Sequence, residues 1–266
     1  MDMTEIAARG LVLLGCGKMG GAMLRGWLNE GLAREAVTVL DPHPSDWLQS
    51  LTGLNINMDL PASPAVAVIA VKPQMMGEAL PALQALGDET MFISIAAGTP
   101  IEAFEAALGA VPVIRAMPNT PAAVGRGITA MIGNAQVSAA HMDMAEGLLS
   151  GVGEVVRLDD EAEMDAVTGL SGSGPAYVFH MIEAMAKAGE AEGLAPDLAM
   201  RLARATVCGA GELAYRDETS AEQLRVNVTS PNGTTQAGLE VLMPELPDLM
   251  RRTVAAAANR SRELKS

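Results

Sequence analysis

Aromatic side chains are scarce in this chain, with two Trp, two Tyr and three Phe in 266 residues. Ala, Leu, Val and Met must then supply the packing, which favours close helix–helix contacts and an interface with another chain. Cysteine is nearly absent too. Cys16 and Cys208 have no CxxC companion and build no disulfide framework, so a reducing, cytoplasmic setting is expected. The three histidines, His43, His141 and His180, join no His/Cys/Asp grouping with ligand spacing, and no metal site is expected. Basic residues are outnumbered, 18 Lys and Arg against 32 Asp and Glu, for a net charge of −14. Such a field repels phosphate backbones and anionic lipid, so nucleic acid and membrane surfaces are not expected partners. A small anion is still admissible, because backbone N–H groups at a helix start bind one locally. Long apolar runs are missing as well. Leu11–Leu14 is far too short to span a bilayer, and Met1-Asp-Met-Thr-Glu-Ile6 carries acid where a secretory signal needs base.

What the first half does contain is alternation. Gly10–Gly15, Val37–Leu40, Ala65–Val71, Met91–Ile95, Val111–Arg115, Ile128–Ile132 and Gly153–Leu158 read as strands. Helical patterns fall between them, over Met19–Leu28 with Gly31 as C-cap, Met75–Leu86, Pro100–Leu108 and Val137–Leu149. The near-continuous apolar run Ala65–Val71 suits a strand buried on both faces of a parallel sheet. After Asp159-Asp160-Glu161 the β signal stops. Helices follow to the end, broken at Ser171–Pro175, Gly193–Pro196 and Ser230–Gly233. Segments such as Ala176–Ala188 and Val254–Ala258 are apolar around much of their circumference and must be buried. A partner subunit is the simplest cover.

Gly15-Cys16-Gly17-Lys18-Met19-Gly20 fits G-x-G-x-x-G between an expected strand and an expected helix. Gly15 allows the tight turn, Gly17 the approach of a pyrophosphate, and Gly20 close helix–strand packing. Asp41 follows about 20 positions later at the end of the second strand, the usual place for an acid that binds the ribose hydroxyls of NAD and repels the 2′-phosphate of NADP. The blander reading of the step Asp41-Pro42 is a turn starter. Lys72-Pro73 and Ala96-Ala97-Gly98 follow later strands, at the edge where ligands of open sheets gather.

No acid–base machine is evident. His180 lies on an apolar helix and reads as a packed residue. Ser171-Gly-Ser-Gly174 lacks the strand a nucleophile elbow needs and reads as a helix break or a close helix crossing. Hydride transfer asks little protein chemistry beyond placement and charge stabilisation, so a redox reaction suits the chain better than hydrolysis. The remaining polar cluster is Asn227-Val-Thr-Ser230-Pro-Asn-Gly233-Thr234-Thr235. It reads either as a capped helix start, or as a carboxylate site built from the N–H groups of Gly233, Thr234 and Thr235 with a hydroxyl at the reacting atom.

These segments together resemble the pyrroline-5-carboxylate reductase family over essentially the whole chain. The matching stretches are Gly15–Gly20, Val71–Gln74, Ser94–Gly98, Arg115–Pro121, Asp165–Tyr177 and Val228–Thr235, with a similar tail at Arg260–Leu264. The resemblance implies an α/β fold: an N-terminal Rossmann-type, doubly wound, mostly parallel sheet over 1–159, then an all-α dimerisation and substrate-binding domain over 160–266. It implies reduction of the C=N bond of 1-pyrroline-5-carboxylate to L-proline by NADH or NADPH, the last step of proline biosynthesis. Thr235 then matches the threonine that hydrogen-bonds the ring nitrogen, and Ser230, Gly233 and Thr234 the carboxylate turn. Glu161 and Asn227 match positions lining the substrate and nicotinamide end. Asn57 matches an adenosine-side contact, and Ala70, Val71, Lys72, Pro73, Ala96, Ala97 and Gly98 match cofactor loops. A homodimer through the C-terminal helices, with further assembly of dimers, is also implied.

Two positions depart from the family pattern. Asn232 replaces the usual Gly in Ser-Pro-Gly-Gly, a substitution that Asn's tolerance of positive φ allows. Asp41 stands where NADP-preferring relatives commonly carry Ser or Asn, so use of NADH is expected. Other readings are a reductase of another cyclic imino acid, a β-hydroxyacid dehydrogenase and a non-catalytic NAD(P)-sensing Rossmann protein. The hydroxyacid enzymes want a catalytic lysine, and Lys187, alone in the second half before Lys265, does not match their pattern. A sensor could keep Gly15–Gly20 without needing Thr235.

Overall fold

The computed structural model describes residues 4–264; the acidic start at Met1 to Met3, and Lys265, lie outside the described residues. Two compact units result, one reaching to Gly172 and taking in the chain from Ala257, the other Ser173–Ala256.

The first unit holds one sheet of eight strands: β1 (Leu11–Leu14), β2 (Val37–Leu40), β3 (Asn55–Ile56), β4 (Val66–Ile69), β5 (Met91–Ser94), β6 (Val113–Met117), β7 (Gly127–Gly133) and β8 (Gly153–Arg157). Their order is β3-β2-β1-β4-β5-β6-β7-β8. Every neighbouring pair is parallel except β6 with β7. The chain starts mid-sheet, runs out to β3 and returns to β4, so the order reverses between β1 and β4. Ligands of doubly wound sheets bind at the carboxyl ends of strands beside that reversal. The helices of this unit are α1 (Thr4–Arg9), α2 (Lys18–Asn29), α3 (Asp46–Ser50), α4 (Met76–Ala79), α5 (Ile101–Leu108), α6 (Ala139–Ser150) and α7 (Met164–Val167).

Alternate side chains of a strand point to opposite faces, and β1 shows the consequence. Leu11 and Leu13 join a core with Met23, Trp27 and Val39, while Val12 and Leu14 join another with Ile69, Phe92 and Phe104. Three of the scarce aromatics are thus spent on the two faces of the sheet, Trp27 in one core and Phe92 and Phe104 in the other. Trp27 also donates its indole N–H to the Leu148 carbonyl at 2.7 Å, tying α2 to α6. Trp27→Phe keeps most of the apolar contact but orphans that buried oxygen. Destabilisation of about 1–3 kcal/mol is expected, read as a lower urea midpoint at constant m.

Three local expectations change. Met75–Leu86 is not one helix: a 3-10 turn at Pro73–Met75, the single turn α4 and a second 3-10 stretch at Leu80–Leu86 replace it. Pro81 lies at the junction, where it has no N–H to continue an α-helix. Strand β3 was not foreseen, since two residues, one of them Asn55, carry no periodicity. Gly31, expected as the C-cap, lies one residue past it with φ +94°, and Glu30 is the cap. At Ser171–Pro175 the helix is interrupted at Ser173, and the close neighbour is strand β6 rather than a second helix. Thr168–Gly172 winds as a π-helical turn, and a side-chain carbon on Gly172 would come within 2.6 Å of Met117 Cε.

The second unit is helical: α8 (Gly174–Ala191), α9 (Pro196–Arg216), α10 (Ala221–Asn227) and α11 (Thr234–Glu263), whose last residues belong to the first unit. Helices α8 and α9 pack through small residues. Ala186, Ala199 and Ala203 are their buried positions, and a side-chain carbon on Gly189 would lie 3.3 Å from Ala199 Cβ. Large apolar side chains point outward instead, among them Phe179, Met181, Leu202, Leu213, Val241 and Leu242. His180, expected to be packed, is exposed and meets Glu183 at 3.2 Å; the apolar surface on α8 faces out of the single chain. Among the described residues no helix is long and apolar enough to cross a membrane.

Candidate functional site

The glycine turn sits at the reversal between β1 and β4, and its three glycines differ physically. Gly15 has φ +89°, and a side-chain carbon there would meet Val71 Cγ1 at 2.9 Å and the Ala70 carbonyl at 3.0 Å. On Gly20 the same carbon would lie 2.3 Å from the Gly15 carbonyl oxygen. Gly17 caps α2, and nothing stands within 4 Å of its missing side chain. Two glycines are therefore fixed by packing, while the third opens onto free space at a helix N-terminus.

The expected cofactor residues around this turn are hydrogen-bonded to one another. The Cys16 N–H donates to Asp41 Oδ2 at 2.7 Å, and the His43 N–H to Asp41 Oδ1 at 2.8 Å. Asn57, at φ +52°, accepts from the Asp41 N–H at 2.9 Å and donates to the Asp41 carbonyl at 2.8 Å. Burial pushes the Cys16 thiol up to about 11, helped by the Asp41 charge and opposed by Arg25. The thiol stays protonated at neutral pH and is no nucleophile. Lys18 and Met19 open α2. Lys72 and Pro73 begin the turn after β4, and Ala96, Ala97 and Gly98 follow β5.

Glu161 is placed by a different set of contacts. Its Oε1 accepts from Arg115 Nη1 at 2.6 Å and from the Ile101 N–H, at the start of α5, at 3.0 Å. Arg115 is 2% exposed in an otherwise apolar strand, and a buried cation needs such a partner. The Arg inside Val113–Met117 was a legible signal of that pair. Less legible was Asp165, 3% exposed, which accepts from Ser261 Oγ at 2.8 Å.

In the second unit, Ser230–Gly233 turns the chain into α11. Asn232 adopts φ +58°, so the left-handed turn persists without the usual glycine. Its N–H donates to Gln236 Oε1 at 2.8 Å. Gly233 is crowded, since a side-chain carbon there would come 2.7 Å from Ser230 Oγ and 3.1 Å from the Ser230 carbonyl oxygen. One expectation is corrected: the Gly233 N–H is not free, but donates to the Ser230 carbonyl at 3.1 Å. The N–H groups that α11 leaves without an intrahelical acceptor begin at Thr234 and Thr235, and both residues are exposed. Asn227 ends α10 and accepts from Gln223 Nε2 at 2.8 Å.

Residues 161–264 match the family model described as pyrroline-5-carboxylate reductase dimerisation. Residues 10–98 match the one described as NADP oxidoreductase coenzyme F420-dependent. A pyrroline-5-carboxylate reductase of Pseudomonas aeruginosa is 40% identical over 262 residues, 96% of each chain. The chain belongs to the pyrroline-5-carboxylate reductase family. A reductase of this family from Synechocystis is 39% identical, over 96% of this chain and 97% of the relative. Among solved structures, the reductase of Coxiella burnetii superposes with a TM-score of 0.91 at 32% identity, covering 97% of this chain and 99% of that one. A Plasmodium falciparum reductase, solved with NADP bound, gives 0.83 at 29% identity over 98% and 99%.

The outward-facing apolar side chains of α8, α9 and α11 all fall within the residues that match the dimerisation family model.

Proposed function

We propose that this chain reduces the C=N bond of 1-pyrroline-5-carboxylate to L-proline with NADH or NADPH, and that the residues expected from the sequence carry the reaction. The observation that carries this reading is the Gly15–Gly20 turn, closed at Gly15 and Gly20 and open at Gly17, in a chain that matches reductases of the family over nearly all its residues. The open cradle at the start of α2 fits a pyrophosphate, which the N–H groups of Gly17, Lys18 and Met19 bind. Asp41 and Asn57 take the adenosine ribose, and Ala70–Pro73 and Ala96–Gly98 wall the cofactor. Bound NADH or NADPH supplies the hydride.

The substrate carboxylate lies on the Thr234 and Thr235 amides beside Ser230, where the α11 dipole favours negative charge. A protonated imine has the more electron-poor carbon. The Thr235 hydroxyl donates to the ring nitrogen as a lone pair develops there, and holding the ring in place supplies much of the remaining rate. Glu161 and Asn227 line the nicotinamide end. The working division is a nucleotide domain over 1–159 and a substrate and dimerisation domain over 160–266. A cytoplasmic homodimer that assembles into larger particles completes the proposal; light scattering sizes it.

The test is oxidation of NADH and NADPH by the purified protein with pyrroline-5-carboxylate and a panel of other cyclic imino acids. Pyrroline-5-carboxylate should give the highest kcat/KM; no turnover of it would overturn the reading. Cofactor choice follows from Asp41, whose carboxylate two backbone N–H groups hold at the end of β2. NADH should be used at least as well as NADPH. Asp41→Ser, by removing repulsion of the 2′-phosphate, should shift the kcat/KM ratio about tenfold towards NADPH, the equivalent of one modest charge contact. A wild type that already strongly favours NADPH would refute the role of Asp41.

A further inference from the structure

The last turns of α11 belong to the first unit, and their contacts single out one loop there. Ser261 is 4% exposed and donates to Asp165 in a buried hydrogen bond of 2.8 Å, 96 positions apart in sequence. One turn further on, Leu264 closes over Gly98. A side-chain carbon on Gly98 would lie 3.4 Å from Leu264 Cβ and 3.8 Å from its carbonyl oxygen, with no other residue among its three nearest atoms. Gly98 has φ +77° and is buried, which a loop glycine achieves only under a cover.

The same loop is held at two other points. The Ala96 N–H donates to Ser94 Oγ at 3.3 Å, and the Ile101 N–H to Glu161 Oε1 at 3.0 Å. Glu161 and Asp165 are one helical turn apart, in the segment that leads from the 3-10 turn at Glu161–Glu163 into α7. That short segment therefore grips the start of α5 with one carboxylate and the end of α11 with the other. The Ala96–Gly98 loop leads into the first grip and is covered by Leu264, three residues past the second.

We propose that Ser261 and Leu264 are positioning residues for the cofactor: the Ser261–Asp165 bond seats the end of α11 so that Leu264 holds the Ala96–Gly98 loop in its binding shape. This rests on the proposal that the loop contacts the nicotinamide cofactor, and extends it to residues that touch neither cofactor nor substrate. Ser261 acts through the helix end, and Leu264 through Gly98.

Ser261→Ala removes the hydroxyl with almost no change of volume. Loss of one buried hydrogen bond weakens cofactor binding by about fivefold to tenfold. The cofactor Kd, from quenching of Trp fluorescence, and the cofactor KM should rise together, while kcat at saturating cofactor stays within about twofold, as for a loss of binding alone. Amide hydrogen exchange at 96–101 should quicken, with no change in α2. Ser261→Thr, which keeps the hydroxyl, should restore the Kd. Leu264→Gly, at an exposed site, tests the same loop without touching the buried pair and should raise the Kd likewise. An unchanged Kd in Ser261→Ala and Leu264→Gly overturns the clamp while the functional reading stands. So does a rise in Kd without faster exchange at 96–101. A wild-type chain that binds neither nicotinamide overturns both.

Discussion

Thr235→Ala should lower turnover of pyrroline-5-carboxylate by about 10–10³-fold, the range for removing one positioned donor from a developing charge. The geometry separates this loss from any loss of fold. Thr235 is exposed, and the start of α11 is held by groups other than its hydroxyl: Gln236 takes the Asn232 N–H and the Ser230 carbonyl takes the Gly233 N–H. Stability should therefore stay within about 0.5 kcal/mol, as for ordinary surface positions. Cofactor Kd should not move either, because the nucleotide residues lie in the loops that follow β1 to β5. Thr235→Ser keeps the hydroxyl and should recover most of the rate. Steady-state kinetics with pyrroline-5-carboxylate at saturating cofactor check the rates of both variants, thermal melting the stability, and cofactor titration the Kd. Unchanged kcat in Thr235→Ala would remove Thr235 from the reaction; a matching fall in the thermal midpoint would make its role structural.

The sheet was legible because it obeys one simple rule. Strands such as Leu11–Leu14 and Val66–Ile69 are buried on both faces, so they read as unbroken apolar runs, and the intervening helices read by their period. Legibility failed where tertiary contacts decide. Two residues of β3 carry no pattern, and Pro81 divides a segment whose apolar spacing alone looked helical. The glycine turn was legible because Gly15 and Gly20 are fixed by sterics that any side chain would violate, while Gly17 between them leaves open space. The sequence could place Asp41 near that turn but not show that both its oxygens already hold backbone N–H groups. The free N–H of Gly233 was misread for a related reason: turn residues look alike in sequence, and only the folded turn decides which donor is spent. Ser261 and Asp165 were invisible singly, since neither a lone Ser nor a lone Asp on a helix announces a buried pair.

The glycine turn allows a sharper test, because the structure assigns its members opposite physics. On Gly20 a side-chain carbon would sit 2.3 Å from the Gly15 carbonyl oxygen. That atom is backbone at the end of β1 and cannot rotate away, so Gly20→Ala must push α2 off the sheet. Overpacking of this kind costs about 1–3 kcal/mol, and the displaced turn should lose the cofactor as well. Gly17 is the reverse case. Its φ of −70° suits alanine, and a side-chain carbon there meets nothing. Gly17→Ala should fold with a wild-type thermal midpoint, yet weaken NADH binding about tenfold or more, each tenfold being 1.4 kcal/mol of lost approach between backbone and pyrophosphate. Measured side by side by thermal melting and cofactor titration, the two variants separate packing from binding. Wild-type affinity in Gly17→Ala would mean that the open space at the head of α2 is not where the phosphates lie. Wild-type stability in Gly20→Ala would mean that the β1–α2 junction is looser than its geometry allows.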